Sequence, residues 1–269
     1  MLLIAATVLH GVLLAAATAQ TGRQSQAAAA SRPDRIYYEV IPLHGTFGCE
    51  IRADVVADVL RRSRGKSEFV ILDIDSPGGF TAEAKKIAEV MQKHEDDFTF
   101  VALVRDGISA AIWPAFESDV ILLVEGGVLG GALSYTQAAS GTPEYDAKQN
   151  SIWAATIESA ATENGWNGDV ARAMIVPDSH LYYWRSGDGV SHLSADPPKS
   201  GHAEQVDSSE ELLTISSNRA QEWGFPPVVP ADLEVEQLGD RLVPGATWKR
   251  RSRYGAPQPR DEIEVRLLM

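Results

Sequence analysis

The run Asp75-Ser76-Pro77-Gly78-Gly79 restricts this chain more than any other stretch. It directly follows the apolar segment Phe69-Val70-Ile71-Leu72-Asp73-Ile74 and directly precedes a helical pattern. A buried strand therefore ends in a glycine pair. Two adjacent glycines let the backbone turn through positive φ and leave an amide N–H that no side chain covers. Such an amide can bind an oxyanion. The pattern then recurs: Phe98-Thr99-Phe100-Val101-Ala102-Leu103-Val104 reads as a strand, and Arg105-Asp106-Gly107-Ile108 leads into Ser109-Ala110-Ala111 at a helix start. A serine there is a candidate nucleophile, although serine is also a preferred helix cap.

The flanking segments continue the alternation. Arg35 to Leu43 reads as a first strand, and Ala53 to Arg62 sets Val56, Val59 and Leu60 on one helical face. Thr81 to His94 places Ala84, Ile87, Ala88 and Met91 at i, i+3, i+4 and i+7. Val120 to Val124 is a further apolar strand. Asp146 to Asn164 is a helix with Trp153, Ile157, Ala160 and Ala161 inward, stopped by Gly165. Nearly all-apolar strands between amphipathic helices predict an α/β fold with a parallel sheet covered on both faces. From Val176 to Glu211 the alternation breaks, and Leu181 to Leu193 reads as a β-hairpin about Arg185-Ser186-Gly187-Asp188-Gly189, with a polar loop after it.

A chain of 269 residues with 44% hydrophobic and 23% charged residues supports one substantial core. Residues 1–19 carry no charged side chain and end in Ala17-Thr18-Ala19, which reads as a signal peptide of a secreted or periplasmic protein. An uncleaved N-terminal membrane anchor is the alternative. Residues 20–34 have linker composition, 35–240 form the domain with an insertion at about 176–211, and 241–269 form a tail. Cys49 is the single cysteine, so no intrachain disulfide forms, and it is expected to be a small buried apolar side chain. A net charge of −13 disfavours nucleic acid and anionic lipid as partners. The cluster Lys249-Arg250-Arg251-Ser252-Arg253 reads as a solvated segment or docking arm. His44, His180, His192 and His202 lack metal-ligand spacing, so neither a metal site nor a cofactor is expected.

In order and spacing, the segments from about Tyr37 to Gly239 resemble the ClpP/crotonase superfamily, with the one interruption noted. They look most like its membrane-associated Ser-Lys branch, the NfeD-type proteases, and more distantly like signal peptide peptidase A. The resemblance rests on Pro77-Gly78-Gly79, on Ser109 followed by small residues, on the Gly-rich run Glu125 to Ala132, and on a helix bearing Lys148 upstream of Asn164-Gly165-Trp166-Asn167. It implies a repeated β-β-α spiral core and a serine endopeptidase. In that enzyme Ser109 attacks, Lys148 is the general base, and the N–H groups of Gly79 and Ala110 form the oxyanion hole. Gly78, Gly130 and Gly131 would contact an extended peptide or protein substrate. A homo-oligomer is expected. A histidine base of the soluble ClpP type is not, since Gly130 to Tyr135 contains none. Ala111 stands where many relatives carry glycine, and Trp113-Pro114 puts bulk near the expected substrate path. Two rival readings are a crotonase-like acyl-CoA enzyme, using paired amides for an enolate, and a catalytically inactive binding module.

Overall fold

Strands as uniformly apolar as these are stable only when both faces of their sheet are covered. In the computed structural model, which describes residues 35–137, 143–145, 147–177, 179–207, 211–233, 237–242 and 247–250, that condition is met by βα alternation. β1 (Arg35–Phe47) leads through α1 (Ala53–Ser63) to β2 (Phe69–Gly79), then through α2 (Thr81–Gln92) to β3 (Thr99–Ile108). A 3₁₀ turn at Ser109–Ala111 runs into α3 (Ile112–Phe116) and β4 (Val120–Gly130). A small hairpin of β5 (Tyr135–Gln137) and β6 (Pro143–Tyr145) precedes α4 (Ala147–Glu163) and α5 (Gly168–Ala173). The interrupting region holds β7 (Tyr182–Arg185), β8 (Ser191–Ser194) and β9 (Glu204–Gln205). β10 (Thr214–Ser216), α6 (Ser217–Trp223), β11 (Val228–Val229), α7 (Gly239–Leu242) and β12 (Thr247–Arg250) follow.

The main sheet has the order β10-β4-β3-β2-β1-β12, with β11 also paired to β4. β1 to β4 run parallel, and β10 is antiparallel to β4. Because side chains alternate along a strand, Leu72 and Ile74 face one way and Ile71 the other. On the first side they join Val104, Val56, Leu60, Ile87 and Met91 in the larger core. On the second side Ile71, Leu103 and Leu122 meet Val229, Leu233 and Leu238. The helical spacing of α2 is observed as expected, with Ala84, Ile87, Ala88 and Met91 all buried. Glu83 in its first turn accepts the Ala53 N–H at 2.8 Å and so ties α2 to the start of α1.

The structure corrects several expectations. β2 does not stop at Ile74: it continues to Gly79, because Thr46 and Phe47 of β1 pair with Gly78 and Gly79. Likewise β4 continues through the Gly-rich run to Gly130, held by β3 on one side and β10 on the other. Cys49 is exposed, not buried, because it sits in the loop Gly48–Glu50, which is closed by polar bonds such as Thr46 N–H to Glu50 Oε2 at 2.9 Å. The first two residues of the basic cluster, Lys249 and Arg250, end an edge strand, Thr247 to Arg250, which pairs in parallel with Arg35 to Tyr38 and leaves Lys249 exposed. The hairpin is present as β7 and β8, with β9 added on the far side of β7. Residues 1–34 and 251–269, with the leader, the linker and the rest of the tail, lie outside the described residues.

Candidate active site

β3 is extended to its last residue, Ile108, and Ser109 then turns to φ +56. Among the described residues it is the only non-glycine with positive φ. That conformation costs about 1–2 kcal/mol for a residue with a β-carbon, so the surroundings must enforce it. They do so by burial. Ala110 and Ala111 are fully buried, and every residue of α3 is buried behind them. A tight strand-to-helix turn of this kind holds a side chain at the carboxyl end of a sheet without letting it relax. Trp113, expected beside the substrate path, is only 5% exposed. Its ring stands edge-on to Trp153 of α4 at 4.9 Å, and its indole N–H donates to Glu117 at 3.1 Å. The bulk is directed into the core, where burial pushes the Glu117 carboxyl above its usual value against the opposing bonds from Trp113 and Gln92.

Gly78 meets Ser109 directly, and Gly79 meets β1. Gly78 has φ +104, and a β-carbon added there would lie 2.5 Å from the Ser109 β-carbon and 2.9 Å from the Ile108 carbonyl oxygen. Gly79 has φ +142, and a β-carbon there would lie 2.5 Å from the Phe47 carbonyl oxygen. No side chain fits at either position. The Gly78 N–H donates to the Ser76 hydroxyl at 3.1 Å, and the Phe80 N–H donates to the Phe47 carbonyl at 3.0 Å. Ala110 is the second residue of the 3₁₀ turn, where the first N–H groups have no intrahelical acceptor.

Lys148 lies on the exposed first turn of α4. The helix is fastened from its inner face. Asn150, 2% exposed, accepts the Ser134 N–H at 2.9 Å and donates to the Ser134 carbonyl at 2.8 Å. Trp153 donates to the Ala132 carbonyl at 2.8 Å. Thus α4 is tied to the segment leaving β4 and, through Trp113, to the helix that follows Ser109. Ser109, Gly78, Gly79 and Ala110 lie at the ends of β2 and β3, and Gly130 lies beside them, paired with Ile108 of β3. Gly130 pairs with Thr214 of β10, and the Gly131 N–H donates to the Leu213 carbonyl at 3.0 Å.

Sequence reasoning missed two residues here. Phe80, next to Gly79, is 65% exposed, and its ring covers Gly48, where a β-carbon would come within 2.5 Å of it. The position after a glycine pair gives no hint of exposure. Ser76 is the other, and its partner Gly45 lies far off in sequence. Among the described residues the histidines contact neighbouring side chains or are exposed, and no cluster there could hold a metal ion. His192 stacks on Trp184 at 5.1 Å, and His180 contacts Gln205 at 3.2 Å. His44 contacts Asp73 at 3.2 Å, and Arg105 donates to the same carboxylate at 2.9 Å. Burial pushes the Asp73 carboxyl up, but the His44 bond and the Arg105 charge outweigh it and leave it below its usual value.

Comparison with known proteins agrees with this architecture. The 1510-N membrane-bound stomatin-specific protease, as a Lys-to-Ala mutant in complex with a substrate peptide, superposes with a TM-score of 0.59 at 16% identity, over 89% of this chain and 100% of that one. A Ser-to-Ala mutant of the same protease gives 0.57 at 17% identity, over 85% and 100%. The fold is therefore the one seen in that protease, a mixed α/β architecture with a mostly parallel sheet. The family model described as NfeD1b, N-terminal domain, matches residues 38–221, and the chain belongs to that family. Membrane protein NfeD1b of Bacillus subtilis (strain 168) is 31% identical over 175 residues, which is 64% of this chain but only 34% of that protein.

Proposed function

We propose that this chain is a serine endopeptidase with a Ser109-Lys148 dyad, acting on extended peptide or protein segments. The observation that carries the proposal is the enforced positive φ of Ser109 against the side-chain-free backbone of Gly78. The Ser109 hydroxyl attacks the scissile carbonyl carbon and passes its proton to the Lys148 amine. The resulting oxyanion is held by the N–H groups of Gly79 and Ala110, each such donor contributing about 3–4 kcal/mol to the transition state. The Lys148 ammonium then protonates the leaving amine, and water hydrolyses the acyl-enzyme with Lys148 again as base. A substrate strand adds alongside Gly79 by β-augmentation, with Phe80 at its edge. On the opposite flank the substrate meets the chain at Gly130 and Gly131, a placement supported by the pairing of Gly130 with Ile108, the residue before Ser109.

The name of the Bacillus relative supports membrane association; an anchor at residues 1–19, a catalytic domain outside the cytoplasm and assembly as a homo-oligomer are further parts of the proposal. One observation favours a second reading. Lys148 is exposed, as it would be in a domain that keeps the fold and binds peptides without cleaving them. Incubation of the purified domain with an unfolded protein such as reduced casein, read by mass spectrometry, separates the two. Fragments from wild type and none from Ser109→Ala support the peptidase. Retention of intact chains by both proteins supports the binding module.

A further inference from the structure

We infer that Ser76 is a positioning residue for the oxyanion-binding strand end. Its hydroxyl clamps β1 to Gly78 and so sets the direction of the Gly79 N–H. The inference rests on the peptidase reading above for its catalytic consequence, and on geometry alone for the clamp.

The parallel ladder between β1 and β2 runs without a break from Tyr38 opposite Phe69 to His44 opposite Asp75, and resumes with Thr46 opposite Gly78. Between these points β1 spends one residue, Gly45, while β2 spends two, Ser76 and Pro77. Such a bulge leaves backbone groups without cross-strand partners, and here the shortage is aggravated because Pro77 has no N–H to offer β1. The Ser76 side chain makes up for it. Its hydroxyl donates to the Gly45 carbonyl at 2.5 Å, and the same oxygen accepts the Gly78 N–H at 3.1 Å. The single hydroxyl proton is committed to Gly45, so the 3.4 Å approach to the Gly78 carbonyl is a contact only. Ser76 is fully buried, its bond from the Gly78 N–H is buried, and its bond to Gly45 is partly buried. Leaving either group unsatisfied in such a place is costly.

The consequence falls on the next amide. The N–H groups on either side of Gly79 are fixed, Gly78 to the Ser76 oxygen and Phe80 to the Phe47 carbonyl. Two adjacent glycines at φ +104 and +142 have almost no intrinsic preference to hold that geometry. Without the clamp the Gly78 peptide rotates, and the Gly79 N–H and the wall against Ser109 move with it. Preorganised donors are effective because they need no reorientation as charge develops, so loosening one lowers turnover more than substrate binding.

The test compares Ser76→Thr, Ser76→Val and Ser76→Ala with wild type and Ser109→Ala. Thr and Val share a shape and differ in the hydroxyl, while Ala removes the hydroxyl without adding volume. The readouts are kcat and KM on a fluorogenic peptide, the fluorophosphonate labelling rate, and hydrogen exchange of the Gly78 amide. Val and Ala are expected to lose about 10- to 100-fold in kcat with KM within about twofold, and Thr to stay within about fivefold of wild type. The Gly78 amide exchanges faster in Val and Ala only. If Ala keeps wild-type kcat, or Val matches Thr, Ser76 does not position the oxyanion site. If wild type is no more reactive than Ser109→Ala, the peptidase reading fails and the catalytic consequence with it. In that case, unchanged Gly78 exchange in Ala overturns the clamp as well.

Discussion

Replacing Gly78 by alanine perturbs the proposed site at its tightest point. The added β-carbon would lie 2.5 Å from the Ser109 β-carbon and 2.9 Å from the Ile108 carbonyl oxygen. Carbon atoms rest at about 3.5–4.0 Å, so the strand end and the serine must separate by roughly 1 Å. A 1 Å misplacement of a reacting group costs about 100-fold in rate. Alanine at φ +104 adds backbone strain of about 1–3 kcal/mol, which appears in stability whether or not the site is catalytic. Gly126→Ala separates the two effects, since Gly126 has φ +88 but open space where its β-carbon would lie. Urea unfolding should show both variants destabilised. The second-order rate of fluorophosphonate labelling should fall about 100-fold for Gly78→Ala and stay within about twofold of wild type for Gly126→Ala. Wild-type labelling by Gly78→Ala would refute the claim that this backbone sets the position of Ser109.

Three further outcomes follow from the packing and the buried charges. Because the Asp73 carboxyl is held below its usual value, its ion pairs stabilise the fold above that usual value and are lost as pH falls through the lowered one. Asp73→Asn should therefore cost about 1.5–3 kcal/mol near pH 7 in urea unfolding, and progressively less under strong acid. Glu117 has the opposite sign: burial raises its carboxyl, so ionising it opposes folding as pH rises, and Glu117→Gln should be relatively more stabilising near pH 8 than near pH 4 by thermal melting. Trp153→Ala removes the edge-on partner of Trp113 and the bond to Ala132, and should lower stability by about 3–5 kcal/mol with a shift in tryptophan fluorescence.

The alternation of apolar strands with amphipathic helices was legible because each signal is local: α2 buries the four residues its spacing singled out. The glycine pair was legible as a special backbone site for the same reason. Its meaning was less so. Glycines in sequence suggest a turn, yet Gly78, Gly79 and Gly127 permit close strand approach, and a β-carbon at Gly127 would lie 2.2 Å from the Arg105 carbonyl oxygen. Long-range pairings were invisible. Nothing in Thr247 to Arg250 announces that it adds to β1, and the charges there read as solvated. Nothing near Ser76 announces Gly45. Cys49 was misjudged because side-chain type favours burial while a hydrogen-bonded loop holds it at the surface.

The central claim is that Ser109 is an activated nucleophile with Lys148 as its base. Fluorophosphonate labelling of the purified domain between about pH 6 and pH 10 tests it most directly, with Ser109→Ala and Lys148→Ala measured alongside. The account predicts that wild type labels, that Ser109→Ala does not label at any pH, and that Lys148→Ala labels at least about 100-fold more slowly. Failure of wild type to label at any pH, or labelling of Lys148→Ala at the wild-type rate, would contradict it.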